Sequence, residues 1–240
     1  MSDLAFIHYQ LQGIDAQKFL QGQVTLNVEK QIIDSTRYTV ICDLKGRIQF
    51  GLWLKKISSD QFEIVVTADQ SEEFAKHIRK YGAFSKITLI AQGPVFPVIQ
   101  QDQTIFTTEA TDITAWKKLA IEQGQAFITA QTAHEFQPQE LRLHQRDGVH
   151  FDKGCYLGQE IVARLWFKAK PKHWLHLVSG AGATPTAGTK LGNDAQVVNS
   201  LAQDNGFVAL VTAKPESLDP LGLRLLDLPT HLNGDVARPK

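Results

Sequence analysis

The residues best suited to chemistry stand in one short segment around the second cysteine of the chain. The segment reads Lys153-Gly154-Cys155-Tyr156-Leu157-Gly158-Gln159-Glu160, and apolar residues at helical spacing follow it. This pattern predicts a helix that begins near Gly158. A helix N-terminus and an adjacent lysine both favour thiolate over thiol, so Cys155 is a candidate nucleophile or redox-active group, although Glu160 in the first turn opposes this. The alternative is a small buried cysteine in a glycine-rich loop.

Other reactive arrangements are missing from the sequence. With two cysteines, Cys42 and Cys155, the chain can form neither a disulfide framework nor an all-cysteine zinc or iron–sulfur site. His144 and His150 lie near Cys155, but their spacing matches no standard zinc pattern, and we predict no metal site. There is no dinucleotide fingerprint, Walker loop or serine-hydrolase elbow, so the corresponding chemistries lack support.

The composition limits the classes of partner. The 240 residues include 25 Lys and Arg against 25 Asp and Glu, a formal net charge of zero, which disfavours direct nucleic-acid binding. No apolar run approaches the roughly 18 residues of a membrane span, and we expect no membrane association. The start, Met1-Ser2-Asp3-Leu4, lacks the basic residues of a signal peptide, so we expect a cytoplasmic location.

Antiparallel hairpins and single helices are predicted to position these residues in the first half. Alternating apolar residues predict strands, and the turn Asp43-Leu44-Lys45-Gly46 joins two of them. Helices are predicted after the capping residue Asp15, over 71–81, and between Asp112 and Gly124. Gly93, Pro94 and Pro97 are expected to end regular structure after the last of these strands. The strands are predicted at residues 6–11, 37–42, 48–55, 62–66 and 87–90.

The composition changes at residue 167, and short β-like runs follow the linker Ala169-Lys170-Pro171. The turns between these runs are rich in Gly, Ser, Asp and Asn. We therefore predict an α+β domain over residues 1–166 and a small β-barrel-like domain over 167–240. The predicted strands of the second domain cover residues 174–178, 196–201, 207–213 and 221–226.

The octapeptide at 153–160 resembles the signature of the YgfZ family of folate-binding proteins, relatives of the aminomethyltransferase (T-protein) of the glycine cleavage system. Further blocks of the family pattern occur in the expected order, and the resemblance spans almost the whole chain. These blocks are Gly13-Ile14-Asp15-Ala16, Phe19-Leu20-Gln21-Gly22-Gln23-Val24-Thr25, Cys42-Asp43-Leu44-Lys45-Gly46-Arg47, Tyr81-Gly82-Ala83-Phe84-Ser85-Lys86-Ile87-Thr88, Ile121-Glu122-Gln123-Gly124, Gln137-Pro138-Gln139 and Ile161-Val162-Ala163-Arg164.

This resemblance implies a fold and a role. The fold is the aminomethyltransferase-like α+β arrangement of antiparallel sheets and helices around a folate channel, followed by a small C-terminal β-barrel. The cofactor is tetrahydrofolate or a one-carbon derivative. The implied role is accessory: assembly or maintenance of iron–sulfur enzymes through transient contact with them or with assembly proteins, indirect support of tRNA modification, and Cys155 as the functional thiol.

Two other functions stay open. One is a folate-dependent one-carbon (aminomethyl) transferase, and the other is a non-catalytic folate-binding module in which Cys155 only packs. The signature favours the accessory role over the transferase, because the transferases carry no such cysteine.

The resemblance also implies which residues bind folate. Glu122 occupies the place of a family glutamate that accepts the donor pair of the pterin; alternatively it is a solvated acid at a helix end. Trp116 aligns with a tryptophan that lies against folate; alternatively it is a core residue. Phe6 stands where relatives carry another folate-associated tryptophan.

Further candidates come from the turn and from the signature. Asp43, Lys45 and Arg47 belong to a turn that faces the channel in relatives, and Lys45 or Arg47 is expected to meet the glutamate tail of folate; alternatively they are ordinary hairpin residues. In the signature region, Glu160 and Arg164 alternatively pair across one helical turn. The signature contributes Tyr156, Gln159 and Arg164 as cofactor contacts, with Lys153, Gly154, Gly158 and Glu160 as motif residues.

One departure from the family pattern concerns the middle of the chain. The stretch between Thr88 and Trp116 is much shorter than in longer members of the family. We therefore expect a trimmed subunit, with a folate channel that is less closed or is completed by a partner chain.

Overall fold

A six-stranded antiparallel sheet forms the first half of the protein. The computed structural model describes residues 4–101 and 103–238, so the predicted features of Met1-Ser2-Asp3 lie outside the described residues. The strand order is β2-β3-β4-β1-β5-β6, and the predicted antiparallel hairpins are confirmed. The strands are β1 (Phe6–Gln12), β2 (Thr36–Cys42), β3 (Ile48–Lys56), β4 (Gln61–Thr67), β5 (Thr88–Gln100) and β6 (Gln103–Thr107).

Strand β5 continues where the sequence predicted a break. It pairs with β1 as far as Val95, past a bulge opposite His8 and Tyr9, and it pairs with β6 from Phe96 onward. Because the pairing partner changes between these two halves, Pro94 and Pro97 are tolerated although neither has an N–H to donate. Strand β6, which the sequence did not predict, and α3 (Ile113–Glu122) follow β5 in the stretch where a trimmed subunit was expected.

The predicted helices are confirmed as α1 (Ala16–Gln21), α2 (Ser71–Tyr81), α3 and α4 (Gln159–Lys168). Asp112 caps α3, because its carboxylate accepts the N–H groups of Thr114 and Ala115 at 2.9 and 3.1 Å. Asp15 precedes α1 as predicted, but its carboxylate accepts the N–H of Lys86 instead of capping the helix.

The C-terminal part contains a five-stranded antiparallel sheet in the order β11-β7-β10-β9-β8. The predicted α+β class, with antiparallel sheets, helices and a β-rich C-terminal part, is confirmed. The last strand is shorter than predicted because 3₁₀ turns precede it up to residue 221. The division at residue 166 stays a prediction, and α4 runs across it. The strands are β7 (Trp174–Gly180), β8 (Lys190–Leu191), β9 (Ala195–Gln203), β10 (Gly206–Ala213) and β11 (Arg224–Leu226).

One apolar cluster joins the two sheets. Val40 and Ile48 from the first sheet belong to the same buried cluster as Leu175, Val198 and Leu210 from the second. The interface is therefore part of the main hydrophobic core. Within the described residues, no helix is long and apolar enough to cross a membrane.

Candidate functional site

The signature segment packs directly on the turn between β2 and β3. At Gly158, where φ is +78°, an added Cβ would lie 2.3 Å from the backbone oxygen of Asp43 and 3.0 Å from Cβ of Cys42. At Gly46, where φ is +69°, an added Cβ would lie 2.9 Å from Cβ of Ile161. Both positions need glycine for their conformation and for space. These glycines bring two distant sequence blocks into contact.

Lys153 holds a third block against the signature. Its side chain is buried, and Nζ donates to the backbone oxygens of Gln21, Val24 and Leu26 at 2.7, 2.6 and 2.8 Å. Burial lowers the pKa of Lys153 to about 7. An ammonium group has three hydrogens, so these carbonyls account for all its donors. The lysine therefore fixes the backbone of residues 21–26, and its expected influence on the Cys155 thiol stays a prediction.

The two cysteines differ in accessibility. Cys155 is exposed, so the alternative of a small buried residue at this position is wrong. Cys42 is buried, and burial raises the pKa of its thiol well above the usual range. Only Cys155 is thus presented to a reactant, and its chemical role stays a prediction.

The other signature residues divide into buried and exposed groups. Tyr156 is buried in the shared core, with its ring centroid 4.8 Å from Nζ of Lys153, and burial raises the pKa of its phenol. Gln159 is half-buried, whereas Glu160 and Arg164 are exposed. The alternative pairing of Glu160 with Arg164 is absent from the ion pairs of residues 4–101 and 103–238. Cofactor contacts of Tyr156, Gln159 and Arg164 stay predictions.

A cavity of about 260 Å³ lies at the start of β2, at the opposite end of this strand from the β2–β3 turn. We call it the aromatic cavity because rings from three elements form its walls. The Trp116 indole donates to Oγ1 of Thr104 at 3.1 Å, and that hydroxyl donates to Oε1 of Gln125 at 2.9 Å. The lining includes Tyr38, Trp53 and Trp116 among aromatic residues, Gln103, Thr104 and Gln125 among polar ones, and Arg37, Arg146, Asp147 and His231 among titratable ones.

Trp116 is both a core residue and a cavity wall. It is only 3% exposed and packs with Trp53 and Phe127, yet it lines the aromatic cavity. Phe6 is fully buried behind it, edge-on to Trp53 and Trp116 at centroid distances of 5.5 and 5.2 Å. Phe6 therefore supports the wall from behind, and its direct contact with folate stays a prediction.

The predicted pterin acceptor, Glu122, does not line the aromatic cavity. It lies in the last turn of α3, 41% exposed, with its carboxylate 4.0 Å from Nζ of Lys118. The carboxylate in the cavity lining belongs to Asp147, which lies 3.5 Å from Nε of Arg37 and 2.7 Å from Nε2 of His150. Sequence reasoning missed Arg37 and Asp147 because no local motif marks them.

The turn residues Asp43, Lys45 and Arg47 lie at the far end of the β2–β3 hairpin. Asp43 is five residue steps from Tyr38 along extended chain, about 17 Å at the usual rise of a strand. The structure thus does not bring these residues to the aromatic cavity, and their contact with the folate tail stays a prediction. They line a separate open surface, which we call the turn groove, together with Leu44, Gln49, Tyr81, His134 and Leu157.

Asp43 is the most strongly bonded residue of this groove. Its Oδ1 accepts the N–H groups of Lys45 and Arg47 at 2.8 and 3.0 Å, and its Oδ2 lies 2.9 Å from Nδ1 of His134. Burial alone would raise the pKa of Asp43, but the hydrogen bonds from His134 and from the two backbone groups hold it below its usual range. No three His, Cys, Asp or Glu side chains within the described part of the chain come together as a metal site.

Comparison with known proteins identifies the relatives of this chain. It is 32% identical over 196 residues to an uncharacterized protein of Haemophilus influenzae, covering 70% of each chain. It is 30% identical to the tRNA-modifying proteins YgfZ of Escherichia fergusonii (75% of this chain, 71% of the relative) and of Serratia proteamaculans (74% and 70%). No protein-family model matches the chain.

The fold is similar to that of a solved transferase. The glycine cleavage system aminomethyltransferase T from Bartonella henselae superposes with a TM-score of 0.59 at 14% identity, covering 89% of this chain and 77% of that one. At this identity the likeness concerns the fold alone. Taken with the sequence relatives, these comparisons lead to one conclusion: the chain belongs to the YgfZ family and has the aminomethyltransferase T fold.

Proposed function

We propose that this protein binds a reduced folate, tetrahydrofolate or a one-carbon derivative, in the aromatic cavity. The observation that carries the proposal is the combination of indole walls from Trp53 and Trp116 with the guanidinium groups of Arg37 and Arg146. A flat heterocycle packs well on indole, and guanidinium groups bind carboxylates such as those of the folate tail. When bound, the folate supplies a carrier for one-carbon units.

The size of the cavity supports a particular pose. Pockets for whole small molecules have volumes of about 300–1,000 Å³, and the aromatic cavity, at about 260 Å³, lies just below that range. It suits the bicyclic pterin, with the rest of the molecule extending out of the mouth past Arg37 and Arg146. This pose agrees with the expectation that the shortened middle leaves the folate channel less closed.

The donor pair of the pterin needs an acceptor. Glu122 is the residue implied by the family, but Asp147 is the carboxylate that lines the cavity. A carboxylate accepts two parallel N–H donors and orients the ring. We assign the role of pterin acceptor to Asp147, and Glu122 is the competing candidate.

Beyond binding, we propose an accessory role in the assembly or maintenance of iron–sulfur enzymes, located in the cytoplasm and acting through transient contacts. Exposed Cys155 is the functional thiol, and its rigid mounting by Lys153 and Gly158 supports this. The relatives are called tRNA-modifying proteins, and an iron–sulfur enzyme that modifies tRNA would connect the two roles without direct RNA binding. The alternative of an aminomethyl transferase is supported by the fold likeness alone.

Folate binding is tested by titrating the protein with tetrahydrofolate and following tryptophan fluorescence. Trp116→Phe is expected to weaken binding by about tenfold, since aromatic packing contributes up to about 1.5 kcal/mol. Trp174→Phe, in β7 outside the cavity lining, is the matched control and should bind normally. Equal affinities in all three proteins would overturn the placement in the aromatic cavity.

The acceptor is identified by comparing Asp147→Asn with Glu122→Gln in the same titration. We expect at least a tenfold loss for Asp147→Asn, because a charge-assisted pair becomes a neutral one, and little change for Glu122→Gln. The reverse pattern would assign the pterin to Glu122 and leave folate binding itself intact.

The role of the thiol is tested by complementation. In a strain that lacks the native protein, Cys155→Ala is expected to fail to restore the activity of an iron–sulfur enzyme that wild type restores, while it binds tetrahydrofolate normally. Full restoration by the variant would exclude a functional thiol and favour the non-catalytic binding module.

A further inference from the structure

The turn groove is separate from the aromatic cavity. It is an open depression of about 590 Å³ at the far end of the β2–β3 hairpin. Between the two sites the apolar residues Val40, Ile48 and Leu52 of the hairpin are 0% exposed. A ligand in the groove therefore does not reach the cavity along the hairpin, and the groove needs an explanation of its own.

The imidazole of His134 is oriented by a residue 91 positions away in the sequence. Its Nδ1 lies 2.9 Å from Oδ2 of Asp43, and because a carboxylate only accepts, Nδ1 carries the hydrogen. Nε2 is then the ring atom that is left for a ligand. The side chain of His134 is half exposed and lines the groove.

The backbone of His134 is in a conformation that side chains disfavour. Its φ is +64°, in the left-handed region, and its N–H donates to the backbone oxygen of Ile48 at 2.7 Å. Glycine adopts this conformation without steric cost, whereas a residue with a Cβ does not. A histidine held here, with its ring fixed by Asp43, is the kind of outlier that marks functional sites.

The charge of the groove favours an anion. Lys45 and Arg47 are both exposed, and neither forms an ion pair with an acidic side chain within residues 4–101 and 103–238. Among the described lining residues, Asp43 is the acidic one, and its carboxylate already accepts three N–H donors. The guanidinium of Arg47 donates to the backbone oxygen of Glu135, which fixes its position beside His134. Among the residues that line the groove, two cationic side chains therefore stand against one carboxylate, although Arg47 also interacts electrostatically with Glu140 outside the groove.

We propose that the turn groove is a binding site for a phosphate monoester, with Lys45, Arg47 and His134 as its ligands. The oxygens of a dianionic phosphate only accept hydrogen bonds. They match the ammonium of Lys45, the guanidinium of Arg47 and Nε2–H of His134 in its imidazolium form, in which Nδ1–H still donates to Asp43. Leu44, Leu157 and Tyr81 form the apolar side of the groove, so the phosphate carries an apolar or aromatic body. The site does not depend on folate binding.

The test uses phenyl phosphate, which combines a phosphate monoester with an aromatic ring, and follows its binding to the full chain by NMR and calorimetry. We expect saturable binding that shifts the ring resonances of His134. His134→Gly removes the imidazole at a position whose backbone favours glycine, so the variant should fold, and we expect about tenfold weaker binding. Lys45→Gln is expected to have a similar effect.

The matched control is Lys30→Gln, which removes an exposed lysine that forms an ion pair with exposed Asp152. This variant should bind phenyl phosphate within about twofold of wild type. The absence of saturable binding to wild type would overturn the proposal. So would stronger binding of benzoate than of phenyl phosphate, which would assign the groove to a carboxylate.

Two further measurements distinguish a phosphate monoester from an RNA and from the tail of folate. Binding of a single-stranded oligonucleotide without terminal phosphates, in place of phenyl phosphate, would overturn the proposal in favour of an RNA surface. A loss of tetrahydrofolate affinity in His134→Gly or Lys45→Gln would instead assign the groove to the folate tail, as the family resemblance implies. Unchanged folate affinity with reduced phenyl phosphate binding supports a second, independent site.

Discussion

At the scale of single residues, the signature segment combines an exposed thiol with residues that serve packing. Lys153 donates hydrogen bonds to three backbone carbonyls of residues 21–26. Gly158 allows α4 to begin in close contact with the turn at Asp43. Gly154 differs from Gly158, since an added Cβ there would meet nothing within 4 Å. Gly158 therefore cannot be replaced by a larger residue without strain, whereas the space at Gly154, four positions earlier, would accept a side chain.

Gly158→Ala is expected to destabilise the protein by about 2–4 kcal/mol. A left-handed conformation costs an alanine about 1–2 kcal/mol, and its Cβ would also lie 2.3 Å from a backbone oxygen that cannot move aside easily. Gly154→Ala is the matched control and should change the free energy of unfolding by less than about 0.5 kcal/mol. Urea unfolding measures both, and similar values for the two variants would contradict this account.

At the scale of elements, α3 is the helix that presents Trp116 to the cavity. Asp112 caps its first turn, Trp116 and Ala120 lie on its buried face, and Gly124, with φ at +65°, follows its end. These start, periodicity and stop signals agree with one another. The position of the Trp116 indole therefore depends on the stability of the first turn of this helix.

Asp112→Ala is expected to lower the free energy of unfolding by about 1 kcal/mol, because two backbone N–H groups lose their acceptor. The matched control is Glu109→Ala, a nearby exposed acid outside the helix, which should change stability by less than about 0.5 kcal/mol. Thermal unfolding followed by circular dichroism measures the difference. If both variants lose the same stability, the cap at Asp112 is not what starts α3.

At the scale of the whole molecule, one core serves both sheets. Leu175 is fully buried in the cluster that also contains Val40 and Ile48, although it belongs to the C-terminal sheet. Because the two parts share this core, we expect them to unfold together.

Leu175→Ala is expected to cost about 2–5 kcal/mol, the range for leucine truncations in cores, and to lower the stability of both parts at once. Tryptophan fluorescence and far-ultraviolet circular dichroism should show one coincident transition in wild type and variant. Leu225→Ala, at a 56% exposed site in β11, is the control and should be close to wild type. Two separate transitions would show that the sheets are independent.

The molecule should also lose stability in acid through buried histidines. Burial, and then the charge of Arg142, lowers the pKa of His176 to about 4, against about 6.5 in the unfolded chain. Between these values the unfolded state binds more protons than the folded state, so stability falls as the pH drops below 6.5. For this one group the loss is about 2 kcal/mol at pH 5.

His176→Gln removes this contribution, so the variant should lose about 1–2 kcal/mol less than wild type between pH 7.5 and pH 5. Urea unfolding at both pH values measures the difference. Parallel losses in the two proteins would show that His176 does not titrate as described.

The sequence by itself determined the local elements and the family. Alternation of apolar residues predicted β3, helical spacing and caps predicted α2 and α3, and the octapeptide at 153–160 identified the family, because these signals lie within a few adjacent residues. Strand β6 was missed because it is short and its polar residues hide the alternation. The exposure of Cys155 was open in the sequence, since a glycine-rich loop does not fix which side chain faces solvent.

Only the tertiary structure decided how distant residues meet. In the folded protein Lys153 donates hydrogen bonds to backbone carbonyls. Tyr38, Trp53 and Trp116 line one cavity, and Asp43 pairs with His134. Glu122 lies outside that cavity. The physical reason is that periodicity and capping are properties of neighbouring residues, whereas a contact across 91 positions depends on strand order and on the packing of side chains between elements.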